Sequence, residues 1–315
     1  MSAVAAVDVG SNSVRLLVLA GDGTRLRRDI VTTRLAAGVD ATGRLDDAAI
    51  DRTVTALAAF RTTWEGLGVA TGPGRVRVVA TSAVRDAADR DRFLAPAAAA
   101  LGVPVDVIDG TEEAALAFAG AALAVPTVPP VAVVDVGGGS TELVLGPADG
   151  GGRPVAAVSL QLGCVRLTER ALGGDPPRDD EVAAARAVVA DVLDDGLARL
   201  AADASTAAVP PVGTLVGVAG TATTLAALHL GLASYEEDRI HGAVVPAAAL
   251  SALADRLVGM RTADRAALGP VQPGRAEVLH GGALVLAAVV ARLGVDRLVV
   301  SEADSLDAVA RGLLG

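Results

Sequence analysis

Val134-Asp135-Val136-Gly137-Gly138-Gly139-Ser140-Thr141-Glu142-Leu143 repeats, at the same spacing, an earlier stretch of the same chain, Val7-Asp8-Val9-Gly10-Ser11-Asn12-Ser13-Val14-Arg15-Leu16. Val, Asp, Val, Gly, Ser and Leu recur in register. In each copy an apolar run precedes the Asp and another follows the polar turn, Leu16-Leu17-Val18-Leu19 in the first and Leu143-Val144-Leu145 in the second. Each copy therefore reads as strand, tight turn, strand. In a Rossmann or P-loop unit the glycines lead into a helix, so this is a different architecture. An internal duplication is the strongest single constraint on how a chain is organised.

Working outward, the two copies are followed by similar elements. Strands near 4–9, 14–20 and 25–34 precede a helix over about 46–66, where Ile50, Val54, Leu57 and Ala58 recur at helical spacing. A strand at 76–79, a helix near 89–101, a strand at 105–108 and a helix from Thr111 come next. After the second copy, strands near 131–136, 141–146 and 154–160 precede helices at about 163–172 and 179–202, then a strand at 215–218. The Pro-rich stretch Pro126-Thr127-Val128-Pro129-Pro130 marks the boundary. The expected domains are 1–126 and 127–300. A last strand at 298–300 leads into a final helix in 301–315, expected to pack back on the first half because a short terminal element needs a partner.

A chain of 315 residues suits two domains of about 100–200 residues each. Hydrophobic residues make up 52%, which fills such cores, while aromatics are 2%, too few for stacking on bases or sugars. All 27 basic residues are Arg. Without Lys, a Walker A loop, Schiff-base chemistry and a Ser-Lys pair are excluded. A net charge of -10 argues against sequence-independent binding to DNA. The single Cys164 forms no intrachain disulfide and no Cys/His cluster offers a zinc site, so a reducing, cytoplasmic setting fits. The longest apolar run, 281–291, is too short to span a bilayer.

Gly10-Ser11-Asn12-Ser13 and Gly137-Gly138-Gly139-Ser140-Thr141 are turns where backbone N–H groups and hydroxyls can converge on phosphate oxygens. The plain alternative is a pair of hairpin turns. Two copies, each preceded by Asp at the end of a buried strand, favour the phosphate reading, and Asp8 and Asp135 become candidate Mg2+ ligands. A third small-residue loop, 217–224, contains Gly220 and Thr221 and opens a helix. It reads equally as an anion or nucleotide site and as a Gly turn with Thr221 capping the helix. Asp109-Gly110-Thr111-Glu112-Glu113 starts a helix with Thr111 as the expected N-cap. Adjacent residues there point about 100° apart, so one of Glu112 and Glu113 at most can aim at a shared ligand, where it could serve as a base for water. Arg15, Arg85, Arg166, Arg239 and Arg275 lie beside turns or element ends and could supply counter-charge to phosphate. His229, His241 and His280 are scattered, and no Ser-His-Asp set emerges.

Together with Ala80-Thr81-Ser82-Ala83-Val84-Arg85-Asp86-Ala87, Leu162-Gly163-Cys164-Val165-Arg166-Leu167-Thr168-Glu169, residues 217–225 and a helix start at Pro273-Gly274-Arg275-Ala276-Glu277, these motifs resemble the exopolyphosphatase/guanosine pentaphosphate phosphohydrolase family (Ppx/GppA). The resemblance runs in order along nearly the whole chain. It implies an α/β fold of duplicated ribonuclease H-like domains, of the actin/Hsp70/sugar-kinase superfold, flanking a cleft. It also implies Glu113 as catalytic base and Asp135 and Glu142 on the side of the metal and attacking water, with Mg2+, or else Mn2+, as cofactor. Gly10, Ser11, Asn12, Ser13, Arg15, Arg85, Gly137, Gly138, Gly139, Ser140, Thr141, Gly220 and Thr221 are the expected phosphate-binding set; Asp8, Asp135 and Glu142 are the expected metal set. The reaction implied is removal of terminal phosphate from inorganic polyphosphate, with short chains preferred. A homodimer is a further expectation from the family.

The sequence departs from the family in two places. It has no His-Asp pair of the kind that the longer members carry in an added C-terminal region, and Ser301-Glu302-Ala303-Asp304-Ser305-Leu306 lacks the Arg of many members. Three other readings stay open: guanosine pentaphosphate hydrolysis with the same chemistry, an ATP-dependent kinase or chaperone-type ATPase of the superfold, and a non-catalytic sensor of polyphosphate or alarmone.

Overall fold

The computed structural model describes residues 3–122, 124–147, 153–272 and 274–315. The chain folds as two compact units, Met1–Leu116 with Ser305–Gly315, and Ala117–Asp304.

The first unit is built from β1 (Val4–Val9), β2 (Ser13–Leu19), β3 (Arg25–Thr32), α1 (Val39–Thr42), α2 (Asp47–Gly66), β4 (Val76–Ala80), α3 (Ser82–Asp86), α4 (Asp91–Leu101), β5 (Asp106–Val107) and the start of α5 (Gly110–Ala121). Its sheet runs β3-β2-β1-β4-β5, with β1 antiparallel to β2 and parallel to β4. Every residue of β1 is buried, because both faces of this central strand are covered, and Asp8 is its only polar side chain. The edge strand β3 carries Arg25, Arg27, Arg28 and Asp29, charges that discourage edge-to-edge pairing. Asp46 caps α2 by accepting from the Ala49 amide at 2.9 Å, and Ile50, Thr53, Leu57, Phe60 and Trp64 form its buried face.

The second unit contains β6 (Val131–Val136), β7 (Thr141–Leu145), β8 (Ala156–Leu160), α6 (Cys164–Ala171), α7 (Asp179–Asp203), β9 (Thr214–Val218), α8 (Ala219–His229), α9 (Glu237–Ile240), β10 (Val244–Pro246), α10 (Ala247–Val258), α11 (Thr262–Ala266), α12 (Leu279–Arg292) and β11 (Arg297–Val300). Its sheet runs β10-β11-β9-β6-β7-β8. Read from the far edge, β8-β7-β6-β9-β11 matches β3-β2-β1-β4-β5 in order and in strand direction, and β10 is an antiparallel addition. The ribonuclease H-like sheet is thus present twice in an α/β chain.

After Asp304 the chain rejoins the first unit as α13 (Ser305–Gly312). Leu306, Val309 and Ala310, spaced three and one apart on one helical face, pack with Val4, Ala6, Leu17 and Leu19 of β1 and β2. Arg28 of β3 pairs with Asp307 at 2.9 Å on the same helix.

Several expected boundaries shift. The chain passes between units inside α5, at Leu116/Ala117, upstream of the Pro126–Pro130 stretch. The strand expected at 105–108 forms only at Asp106–Val107. No helix starts at Gly274: this residue has φ 78, residues 274–278 make turns, and α12 begins at Leu279. Pro273 lies outside the described residues. Among the described residues no helix is long and apolar enough to cross a membrane.

Candidate active site

In open α/β sheets, ligands collect where parallel strands end at their carboxyl termini. In the first unit those ends belong to β1, β4 and β5. Asp8 is the penultimate residue of the buried strand β1. Thr81 follows β4, its amide bonded to the Val9 carbonyl at 3.2 Å, and opens the short helix α3 that carries Arg85. After β5 the chain turns through Asp109 into α5. Here Asp109, rather than Thr111, caps the helix: its Oδ1 accepts from the Glu112 amide at 2.8 Å, since Asp competes better than Thr for that role.

The two acids at the start of α5 diverge as helix geometry requires. Glu112 is half exposed and pairs with Arg77 at 2.7 Å. Glu113 turns inward, where its Oε2 accepts from Arg85 Nη1 at 3.0 Å with only 13% of its side chain exposed. Burial pushes its carboxyl up from an ordinary 4.5 to about 7; the Arg85 charge and hydrogen bond pull it down, Asp8 pushes it further up, and a Thr81 hydrogen bond pulls it down. A carboxyl titrating near neutrality is suited to take a proton from water. Arg85 also donates to the Ile108 carbonyl at 3.1 Å, so its guanidinium is committed to the base and to the strand end beside it.

The duplicated turns close alike: the Gly10 amide donates to the Ser13 carbonyl at 3.0 Å, and the Gly137 amide to the Ser140 carbonyl at 3.0 Å. In the second unit the carbonyls of Gly137 and Gly138 accept from the amides of Cys164 and Val165, both at 2.9 Å, and the Gly139 carbonyl accepts from Arg166 Nε at 2.7 Å. In a trans peptide the N–H points opposite to the preceding C=O. The N–H groups of Gly138, Gly139 and Ser140 therefore turn away from α6, which makes a concave edge of donors for an anion. Gly163 is required behind this loop, because a Cβ there would overlap the Gly138 backbone. In the first unit a different backing does the same job: the Ser11 carbonyl accepts from Ala36 N at 2.9 Å, and the Asn12 carbonyl from Thr33 N and Arg34 N at 3.0 and 2.9 Å. Arg34 adopts a left-handed φ of 54 to bring both amides there. The amides of Asn12 and Ser13 are turned the opposite way by the same peptide geometry. Ser11 and Ser82 join this loop to α3 through a buried 2.8 Å hydroxyl bond.

Asp135 and Glu142 face each other directly across β6 and β7, as Asp8 and Arg15 do across β1 and β2. Both acids are buried, and Ser159 Oγ donates to Glu142 Oε1 at 2.7 Å. Thr141 is buried too, its hydroxyl donating to the Leu162 carbonyl. Asp8 has a different neighbour: Arg15 contacts its Oδ2 through Nε at 2.9 Å and Nη2 at 2.5 Å. Among the described residues no three His, Cys, Asp or Glu side chains gather into a preformed metal cage. Mg2+ commonly takes only one or two carboxylates and completes its shell with water and substrate phosphate, and the facing pair Asp135 and Glu142 fits that requirement.

Around the third loop, Thr221 does not cap α8; its hydroxyl donates instead to the Val136 carbonyl at 3.2 Å, tying α8 to β6. The Arg275 guanidinium lies directly on Gly220, where any Cβ would overlap it. The other arginines differ: Arg166 backs the glycine loop, whereas Arg239 sits on the surface against Glu236 at 3.5 Å. Burial pushes the Cys164 thiol up to about 11 and the His280 imidazole down to about 3, which removes a thiolate nucleophile and an imidazolium acid from consideration. The backing of the first loop by residues 33–36 escaped sequence reasoning, since nothing local marks it; the opposed Arg15 and Glu142 were visible in the aligned repeats.

The family model described as the Ppx/GppA phosphatase family matches residues 18–308. Exopolyphosphatase 2 of Mycobacterium tuberculosis is 42% identical, with 100% of this chain and 99% of that protein aligned. Among solved structures, an exopolyphosphatase-like protein superposes with a TM-score of 0.90 at 34% identity, covering 98% of both chains. A Ppx/GppA family member from Aquifex aeolicus does so with a TM-score of 0.78 at 29% identity, covering 99% of this chain and 98% of the other.

Proposed function

From the premise that the chain belongs to the Ppx/GppA phosphatase family, we propose that it is an exopolyphosphatase, a hydrolase that releases terminal orthophosphate from inorganic polyphosphate. The observation that carries the reading is Glu113: a buried carboxylate at a sheet's carboxyl end, gripped by Arg85 and titrating near 7, beside a loop whose amides point away from their backing.

In the reaction, Glu113 orients a water molecule and accepts its proton as the water oxygen bonds to the terminal phosphorus. The bond from that phosphorus to the bridging oxygen breaks, and the shortened polyphosphate leaves with the bridging oxygen and its electron pair. Arg85 keeps Glu113 in place and stabilises its ionised form. The outward-turned amides of Asn12 and Ser13 are suited to hold phosphoryl oxygens, and those of Gly138, Gly139 and Ser140 offer the same kind of donor edge in their own unit, so that positioning and fixed dipoles supply most of the acceleration. Asp135 and Glu142 would hold Mg2+, which supplies positive charge to the phosphoryl oxygens when bound. No side chain needs to form a phosphoenzyme, consistent with the protonated, buried thiol of Cys164. A cytoplasmic setting is part of the proposal, supported by that lone buried cysteine.

The test is phosphate release from short polyphosphate, long polyphosphate and guanosine pentaphosphate, with Mg2+ and with EDTA. Metal-dependent release that is fastest on short polyphosphate is expected. Preference for guanosine pentaphosphate would keep the chemistry and change the substrate; tight binding of all three without release would make the protein a sensor.

A further inference from the structure

The duplicated hairpins are alike in backbone and opposite in charge. Position for position, Arg15 stands where Glu142 stands in the second copy, and each faces the repeated Asp directly across an antiparallel pair. Two carboxylates set opposite each other repel, and a cation relieves that repulsion. The Asp8 carboxylate already has a guanidinium on it, through both Nε and Nη2. A dication brought to Asp8 would meet the positive charge of Arg15 within a few ångströms, in surroundings where the Arg15 and Asp8 side chains are only 17% and 8% exposed and screening by water is weak. Asp8 was an expected metal ligand, and this pairing does not fit that role.

The same contact has a positive use. A guanidinium is a rigid planar fork, so gripping Nε and Nη2 along one edge fixes where the opposite edge points. Arg15 lies two residues beyond Ser13, at the end of β1 and β2 where the loop amides turn outward. We propose that the duplication has divided the labour: the cation is held by Asp135 and Glu142 alone, while Asp8 holds no metal and instead aims Arg15 at the phosphoryl oxygens of the substrate. Asp8 is thus a positioning residue. The half of the inference that concerns substrate rests on the phosphoanhydride reading above; the half that concerns the cation does not.

The experiment has two arms. In the first, Mn2+ binding to the protein without substrate is followed by electron paramagnetic resonance. Asp8→Asn should bind as wild type does, while Asp135→Asn and Glu142→Gln should bind about tenfold or more weakly, as loss of a charged ligand implies. Loss of Mn2+ affinity in Asp8→Asn, or no binding by wild type, overturns the division of labour. In the second arm, KM and kcat for short polyphosphate are measured for Asp8→Asn, Arg15→Gln and the double variant. Each single change should raise KM by about 10–100-fold, the value of a lost charge-assisted contact, with the larger effect in KM than in kcat. The double variant should be no worse than Arg15→Gln, because Asp8 acts through Arg15. Additive losses, or a fall confined to kcat, overturn the positioning role. Should Asp8→Asn fail to fold, Arg15→Lys keeps the charge without the fork and must raise KM while leaving Mn2+ binding intact. If wild type hydrolyses no polyphosphate the functional reading fails and the Mn2+ arm still decides the cation; if wild type is active and Asp8→Asn loses Mn2+, this inference alone fails.

Discussion

Arg85 Nη1 meets Glu113 Oε2 at 3.0 Å, a cation on the buried carboxylate that is proposed to take a proton from water. Two opposing influences meet at that contact. Burial favours the neutral acid, and Arg85 favours the ion. Their balance sets the pH at which the base becomes available.

The first expected outcome is a pH profile. If Glu113 takes the proton as proposed it must be ionised first, so kcat/KM should rise through pH about 7. In Arg85→Gln the same limb should move to higher pH, because the influence that pulls the carboxyl down is removed. A limb that stays in place while the rate falls would mean that Arg85 serves only to bind phosphate.

Substituting Glu113, the proposed base, separates activity from stability. Glu113→Gln should lower kcat by about 10²–10⁴-fold, the usual contribution of a general base. Glu113 binds its proton more tightly in the folded protein than in the unfolded chain, where the ordinary value is 4.5. Its contribution to stability is therefore complete below that value and is lost as pH rises through about 7, by roughly 3 kcal/mol in all. Gln is neutral throughout. The variant should melt above wild type at pH 8 and close to it at pH 5; an equal gap at both would remove burial as the cause.

Gly163→Ala tests the backing of the glycine loop. The residue has an extended φ of -138, so Ala brings no backbone strain, only a methyl group placed into the Gly138 backbone. Overpacking of this kind costs about 1–3 kcal/mol. Urea midpoints should fall accordingly, and KM for polyphosphate should rise as the loop amides move. Unchanged KM at reduced stability would separate the loop from substrate.

Leu306→Ala, on α13, removes a side chain with no exposed surface from between the helix and strands β1 and β2. The expected loss is about 2–5 kcal/mol. Because β1 and β2 carry Asp8, Arg15 and the first loop, phosphate release should decline at temperatures where far-UV circular dichroism still reports a folded chain.

Cys164 should be inert. It is 3% exposed with its thiol pushed up to about 11 by burial, so native protein should react with a disulfide reagent only after denaturation. Rapid modification of the folded enzyme would contradict this placement.

How much could be read from the chain depended on the distance over which the signal travels. The repeated Val-Asp-Val-Gly segment carried its own strand and turn pattern, and both hairpins form with the two Asp residues at matching strand ends. The divergence of Glu112 and Glu113 followed from helix geometry alone. The Arg85–Glu113 pair joins residues far apart in sequence, and the support of Ser11 and Asn12 by segment 33–36 depends on tertiary contacts that leave no periodic trace. Thr111 and Thr221 are reasonable caps by residue type, yet Asp109 takes the amide at the start of α5, and the Thr221 hydroxyl donates to the Val136 carbonyl instead of capping α8. Short elements such as α9, α11 and β10 are too brief to establish a period of their own.

The return of α13 to β1 and β2 also sets an order of events during synthesis. The unit that carries Glu113 is made up of residues up to Leu116 and is closed only by residues 305–315. The second unit lies wholly within that interval as one continuous segment, and domains tend to fold as units while the chain emerges. The later-made unit is thus the first able to close, and β1 and β2 gain their α13 cover only afterwards. A chain cut before Ser305 would leave Leu17 and Leu19 of β2 without the cover of Leu306 and Val309.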